Sequence, residues 1–248
     1  MPKRLPKTST RPQRTTSSGR MPGLPAISPK RAAKLKAKKY REAERLFLAE
    51  GKAVLEEARS TPLHVFDEAE QILRVSTLKT PSGPVGVFRF LDVTVAELLT
   101  QTQRIVLLHG VQDPGNVGTA IRSAHAFGAG VALSRGTADL YNPKTVRASM
   151  GSIFHAPVAR EVESVTFLDA ARGAGFATLA AMPDAGEAPK SMPAGPLVVC
   201  IGAEGAGLPE DVVDACDERV GIPSIAPSLN ASVAASILLY EAYSRVLP

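Results

Sequence analysis

The sequence predicts an α/β fold: a mostly parallel sheet covered by helices on both faces, preceded by a small α+β module and a basic arm. Three observations predict it. From Arg104 onward, short apolar runs alternate with segments of helical spacing, the pattern of strand–helix–strand units. The first run, "RIVLLHGV", is continuously apolar, as a strand buried on both faces must be. Glycine-rich loops follow several strand ends, where open α/β sheets take their ligands.

Each element follows in order. Residues 1–30 are rich in Pro, Ser, Thr and positive charge. They cannot bury enough apolar surface to offset their ordering entropy, so a disordered basic arm is expected. Residues 1–41 hold 13 of the 29 Lys and Arg and no acid, and the other 207 residues hold 16 bases against 24 acids. The basic character therefore belongs to the arm and the helix start, not to the fold. Such an arm reads equally as a solubilising tail or as a segment for a polyanion. A long helix is expected over residues 29–59, with Leu46, Leu48, Val54, Leu55 and Ala58 on its apolar side. The runs "LHVF" and "VGVFRFL" read as short strands, and "LKTPSGP" between them as a loop. Residues 31–100 thus form the small module and residues 101–248 the main domain. In the main domain the expected strands are "RIVLLHGV", "GVALS", "FATLAAM", "PLVVCIG" and "RVGIP". The expected helices are "NVGTAIRSAHAFGA", "SVTFLDAARGAG" and a last one from about Leu229.

The totals exclude several classes. No apolar run approaches the roughly 20 residues of a membrane-spanning helix. The N-terminus lacks the apolar core of a secretory signal, and its prolines argue against an amphipathic transit helix. Cys200 and Cys216 show no metal-ligand spacing, so no metal is expected. They read as buried thiols in a reducing cytoplasm.

Three loops carry the chemistry. "DPGN" in the first is a strong turn signal, and Gly115 and Gly118 permit close backbone approach. Asn116 then sits in the loop or at the helix cap, with Arg122 one or two turns along the helix. The second loop, "CIGAEGAGLPEDV", lacks the glycine order of a dinucleotide fingerprint. No Gly-Lys-Ser or Gly-Lys-Thr of a P-loop occurs anywhere in the chain. Glu204 amid its glycines would repel phosphate and suits a hydroxyl, an amide or a cation such as a sulfonium. The third loop, "GIPSIAPSLNAS", is stiffened by two prolines and ends on Ser228 and Asn230. Both are good N-cap residues, and one cap suffices for the helix. The surplus polar residue points to a ligand or a reacting group.

These three loops, in this order, resemble the motifs of the SpoU/TrmH family of RNA ribose 2′-O-methyltransferases, over roughly residues 104–245. "DPGNVGTAIRSAHAFGA", "VVCIGAEGAGL" and "IPSIAPSLNASVAASILLYEA" carry the resemblance, and "VRASMGSIFHAPV" resembles the segment between the first two. Two departures stand in the motifs: Ala203 occupies a position where many relatives carry Asn, and "SIAP" is shorter than the usual connection and lacks its glycine. The resemblance implies a trefoil-knotted domain, one of the rare exceptions to the rule against knots. It implies S-adenosylmethionine as cofactor, contacted around Gly202, Ile222 and Leu229. It implies RNA as partner, ribosomal RNA ahead of transfer RNA, and a homodimer with its active site near the interface. Arg122 corresponds to the family's essential arginine, with Asn116, Glu204, Ser228 and Asn230 as polar companions. The family proposal makes Arg122 a base; a phosphate clamp that eases loss of the hydroxyl proton is the alternative. The stretches "AERLFLAEGKAVLEEA" and "VSTLKTPSGPVGVFRF" resemble the start and end of a ribosomal-protein-like RNA-binding domain. That domain is expected to be shortened here, with a strand and a helix missing after Arg59. Reading the same residues as a catalytically silent RNA-binding or ribosome-assembly protein would leave this full polar set without a task.

Overall fold

The computed structural model of this chain describes residues 27–81, 83–183 and 186–245. Residues 1–26 of the expected arm lie outside the described residues. Its last residues are structured: Ser28 caps the first helix, α1 (Pro29–Lys34), by accepting from the Arg31 N–H.

The expected long helix over residues 29–59 is corrected to four elements. These are α1, α2 (Lys38–Glu44), the strand β1 (Leu46–Glu50) and α3 (Lys52–Glu56). Arg45, in the left-handed region at φ 53°, stops α2. Gly51, at φ 102°, turns the chain from β1 into α3. Leu46 and Leu48 are two apart, which is the strand period, and Phe47 and Ala49 fill the opposite face. All five residues of β1 are buried, so both faces of the strand have partners.

β2 (His64–Phe66), α4 (Ala69–Val75) and β3 (Val85–Arg89) complete the small module. A strand and a helix therefore do stand after Arg59, where both were expected to be missing. β1 and β2 both pair antiparallel to β3. One face of this sheet, with Leu46, Leu48, Val85 and Val87, packs on Ala32, Leu35 and Val75 of its own helices. The other face, with Phe47, Ala49 and Phe88, joins the core of the main domain.

The main domain begins with α5 (Val95–Gln101), ahead of the boundary expected at residue 101, because Leu98 packs in the main-domain core; a Thr94–Glu97 capping box opens the helix. It continues through β4 (Arg104–Leu108), α6 (Pro114–Ala126), β5 (Gly130–Ser134), α7 (Pro143–Ala148), β6 (Val158–Val162) and α8 (Ser164–Gly173). It ends with β7 (Ala177–Met182), β8 (Leu197–Ile201), α9 (Glu210–Asp214), β9 (Glu218–Gly221) and α10 (Ala231–Ser244). The six strands form one sheet, in the order β6-β5-β4-β8-β7-β9. Every pairing in it is parallel. All five expected strands of this domain are present. β6 escaped notice because it is an edge strand carrying Arg160 and Glu161, so it lacks an apolar run.

Alternation along the strands sorts the core into two layers. Val106, Leu108, Val199 and Ile201 face α6 and α10. Ile105, Leu107, Val198 and Cys200 face α5, α8 and α9.

The module docks on the main domain through aromatic rings and charge. Phe47 lies 4.8 Å from Tyr141 between ring centres, and Phe90 stacks on Tyr141 at 3.8 Å. Buried Arg41 donates to the Leu35 and Lys36 carbonyls, both at 2.8 Å, and pairs with Asp139 at 2.5 Å. Tyr141 donates its hydroxyl hydrogen to Asp92 at 2.7 Å, and Arg160 lies between Asp92 at 3.1 Å and Glu42 at 2.7 Å. Burial pushes the Asp92 carboxyl up, but the Tyr141 hydrogen bond and the nearby Arg160 and Arg45 outweigh it. The carboxyl is held below its ordinary 3.8.

A depressed carboxyl stabilises the fold above its unfolded value and loses that contribution as pH falls through the folded value. Asp92→Asn is therefore expected to destabilise the protein by about 1–3 kcal/mol at neutral pH. Urea unfolding from about pH 7 to about pH 3 checks it: the gap between wild type and variant should shrink toward the acid end.

Candidate active site

A pocket of about 440 Å³ opens at the C-terminal ends of β7, β8 and β9. That is where a parallel sheet exposes the loops that vary with function. Its floor is Ile201 and Gly202, and its walls include Met182, Val220, Ile222 and Leu229. Gly202, Ile222 and Leu229, the three expected cofactor contacts, all line it.

The loop after β8 folds back on its own start. Ala203 and Gly207 exchange backbone hydrogen bonds at 3.2 and 2.9 Å. A Cβ on Gly202 would lie 2.1 Å from the Gly207 carbonyl carbon, so no side chain fits there. Gly118, by contrast, serves packing. A Cβ there would lie 2.5 Å from the Thr145 oxygen of α7. The close approach expected of Gly118 is thus helix to helix.

Asp113, not Asn116, caps α6, accepting from the Gly115 and Asn116 N–H groups and pairing with Lys144 at 2.8 Å. The Lys144 hydrogen bond, followed by the Gly115 N–H, holds the Asp113 carboxyl below its ordinary range. Asn116 stands in the first turn of α6, and its side chain crosses to the other two loops. Its Nδ2 donates to Glu204 Oε1 at 2.5 Å. Its Oδ1 accepts from Asn230 Nδ2 at 3.0 Å and lies 3.3 Å from the Ser232 hydroxyl.

The direction of this chain follows from the helix cap. Asn230 is the N-cap of α10, and its Oδ1 accepts from the Ser232 N–H at 2.9 Å and the Val233 N–H at 3.3 Å. The Ser232 hydroxyl donates to the same oxygen at 2.7 Å. Only the amide nitrogen of Asn230 is then left to face Asn116, and it can only donate. Asn116 must answer with its oxygen, which turns its own NH₂ toward Glu204. One helix cap thereby sets two amides and aims one donor, Asn116 Nδ2, at the Glu204 carboxylate.

Lower down, the Ser236 hydroxyl donates to the Ser232 carbonyl at 2.6 Å, so it accepts from Ser123, also at 2.6 Å. This second bond ties α10 to α6. Ser232 was not singled out in the sequence. The signal was a serine two places after a cap asparagine, and it is buried within an apolar helix.

The expected residues separate into two groups. Asn116, Glu204 and Asn230 are joined by hydrogen bonds, and Ser228 lines the same pocket, exposed and off the cap. Arg122 is not among them. Six residues past Asn116, it lies about 9 Å along α6 and about 120° away around its axis. It is exposed and has no hydrogen bond or ion pair with the described residues. Among the described residues no group of three or more His, Cys, Asp or Glu could hold a metal, and no helix is long and apolar enough to cross a membrane.

The family model described as "SpoU rRNA Methylase family" matches residues 103–240. The 23S rRNA (guanosine(2553)-2′-O)-methyltransferase RlmP of Bacillus subtilis is 32% identical over 84% of this chain and 92% of its own length. An AdoMet-bound rRNA methyltransferase from Sinorhizobium meliloti superposes with a TM-score of 0.81 at 29% identity. The match covers 89% of this chain and 95% of that one. The SpoU methyltransferase AviRb from Streptomyces viridochromogenes, in complex with AdoMet, superposes with a TM-score of 0.75 at 26% identity. Here 88% of this chain and 97% of that one are covered.

The two polar residues of "SLN" have different structural weight. Asn230→Ala is expected to cost about 1 kcal/mol through loss of the cap, and Ser228→Ala less than about 0.5 kcal/mol. Urea denaturation of the two variants, side by side with wild type, measures both.

Proposed function

The chain belongs to the SpoU rRNA methylase family, and from that premise we propose that it methylates a ribose 2′-hydroxyl of ribosomal RNA with S-adenosylmethionine as donor. The observation that carries the reading is the convergence of Asn116, Glu204 and Asn230 at the mouth of the pocket formed by Gly202, Ile222 and Leu229. Ribosomal RNA is favoured over transfer RNA because the Bacillus relative, named for 23S rRNA, matches this chain over 92% of its own length.

The pocket fits the donor. Its volume lies within the roughly 300–1,000 Å³ of small-molecule sites. Ile222, Leu229 and Val220 offer apolar walls to an adenine ring, and the bare backbone at Gly202 admits a ligand closely. Glu204 supplies the only carboxylate on the pocket wall among the described residues, of the right sign for a sulfonium. When bound, S-adenosylmethionine supplies a methyl group activated by that positive sulfur. Asn116 holds Glu204 in place, and the cap of α10 holds Asn116. Ser228, free of the cap, faces the acceptor.

The acceptor hydroxyl is a weak nucleophile until its proton is drawn away. A guanidinium yields a proton only above about pH 12, so we assign Arg122 to the RNA phosphate next to that ribose. There its charge stabilises the developing alkoxide.

Arg122 lies away from the pocket of its own chain, so we assign it to the pocket of a second copy in a homodimer. The support is an exposed apolar stripe on α10 beside it: Val233, Ile237 and Tyr240, spaced as one helix face. We further read the main domain as trefoil-knotted. Two observations support that reading: α10 packs against β4 and β8, and Arg245 at its end donates to the Pro189 and Met192 carbonyls of the β7–β8 connection. A cytoplasmic location accords with the two free thiols.

Arg122→Ala is expected to lower methyl transfer by roughly 100- to 1,000-fold, with S-adenosylmethionine affinity by calorimetry unchanged. Partial activity in Arg122→Lys supports the charge role, and transfer near the wild-type rate in Arg122→Ala removes it. Ile237→Glu is expected to yield monomers in sedimentation analysis and to lose transfer with them. A monomeric variant with full activity would exclude a site shared between subunits.

A further inference from the structure

The chain has two cysteines, 16 residues apart, and the structure brings their sulfurs to 3.6 Å. Cys200 lies in β8, fully buried, on the same face as Val198 and in the core layer that includes Val212 of α9. Cys216 follows α9 and borders an open hollow lined also by Glu187, Asp214, Asp217, Glu218 and Arg219. The Cys216 thiol lies 3.3 Å from the Val212 carbonyl and donates to it, which leaves its sulfur free to accept from Cys200. The pair is thus asymmetric: Cys216 is partly exposed beside the hollow, and Cys200 is fully buried.

We infer that Cys200 and Cys216 are a modification site, a dithiol that hydrogen peroxide, a small neutral oxidant, converts to an intramolecular disulfide. The Cys216 sulfur attacks the peroxide oxygen, the O–O bond breaks, and a sulfenic acid forms with release of one water. The Cys200 sulfur then attacks the Cys216 sulfur; the S–S bond forms, the S–O bond breaks, and the departing hydroxide takes the Cys200 proton as a second water. Two thiols are oxidised by two electrons and one peroxide is reduced to two waters.

The order of events has a physical basis. Hydrogen bonding from Cys200 draws the Cys216 thiol down, against burial and the nearby Asp217, with Arg172 assisting. The same contact and complete burial push Cys200 up. Cys216 is therefore the first nucleophile. Closing to a disulfide needs the sulfurs to approach by about 1.5 Å. α9 is a single short helix that ends at Asp214, two residues before Cys216, and its end can follow. Four carboxylates against one arginine line the hollow, so an anionic oxidant such as oxidised glutathione is disfavoured and an uncharged peroxide is not. The ring closed by the bond would span residues 201–215 and contain the whole loop that carries Gly202 and Glu204. The inference does not depend on the proposed activity.

The test uses the full-length protein, treated with hydrogen peroxide, capped with N-ethylmaleimide and mapped by mass spectrometry without reduction. The expected product is monomeric protein with a Cys200–Cys216 linked peptide pair, reversed by dithiothreitol. Oxidised glutathione at equal oxidising equivalents should react at least ~10-fold more slowly. Cys200→Ala should accumulate a sulfenic acid on Cys216 that dimedone traps. Intact thiols after treatment, a sulfinic acid at Cys216 beside a free Cys200 thiol, or a disulfide between two chains as the main product would each overturn the inference. Oxidised glutathione reacting as fast as the peroxide would overturn the assignment of a neutral oxidant. Because wild-type protein carries the main readout, a poorly folding Cys200→Ala leaves the test intact.

Discussion

Strands β4 and β8 run side by side in the same direction, from Arg104 paired with Leu197 to Leu108 paired with Ile201. In a parallel sheet every strand ends at the same edge, so the loops that follow these two strands leave together. The Asn116 turn follows β4 and the Glu204 loop follows β8. A β7 and β9 neighbour on the same side brings Met182, Val220 and Ile222 to that edge as well. Parallel pairing is thus the constraint on which the site depends. Were β8 antiparallel, Glu204 would stand at the far end of the sheet, a strand length from Asn116.

Within that constraint, one helix cap orders the polar groups. A cap is ordinarily a stability device worth about a kilocalorie. Here its second amide atom is used too, because Asn230 has an oxygen for the helix and a nitrogen for its neighbour. Aspartate would cap as well but could not donate onward. The choice of Asn over Asp at a cap thereby carries information about the site, which helix propensity alone does not contain. The bond between Ser123 and Ser236 holds α6 and α10 in the register that this contact requires.

The small module is more than an appendage. Its sheet is buried on both faces, once against α1 and α4 and once against Tyr141 and Phe154. Arg41, Asp92, Arg160 and Glu42 then tie the joint with charge where the aromatic contact ends. The position of the module relative to the pocket is therefore set by packing in one continuous core.

Much of this was legible in the sequence, and for local reasons. Short, mostly apolar runs between helical segments named five of six strands in the main domain, glycines marked the loops, and the residues of "SLN" stood out as one polar group too many. The failures were local ambiguities that only neighbours resolve. "LFLAE" fits helix or strand by composition, and becomes a strand because β3 lies beside it. β6 hides because an edge strand can carry charge. The sequence by itself determined the alternation of strand and helix from β4 onward, the three loops and the residue types on them, since these rest on periodicity and backbone sterics within a few residues. Only the tertiary structure decided that Asn230 caps while Ser228 does not, that Arg122 stands apart from its companions, and that two distant cysteines touch. Each of these is a distance between residues far apart in the chain, and such distances are set by sheet pairing and core packing rather than by any local preference.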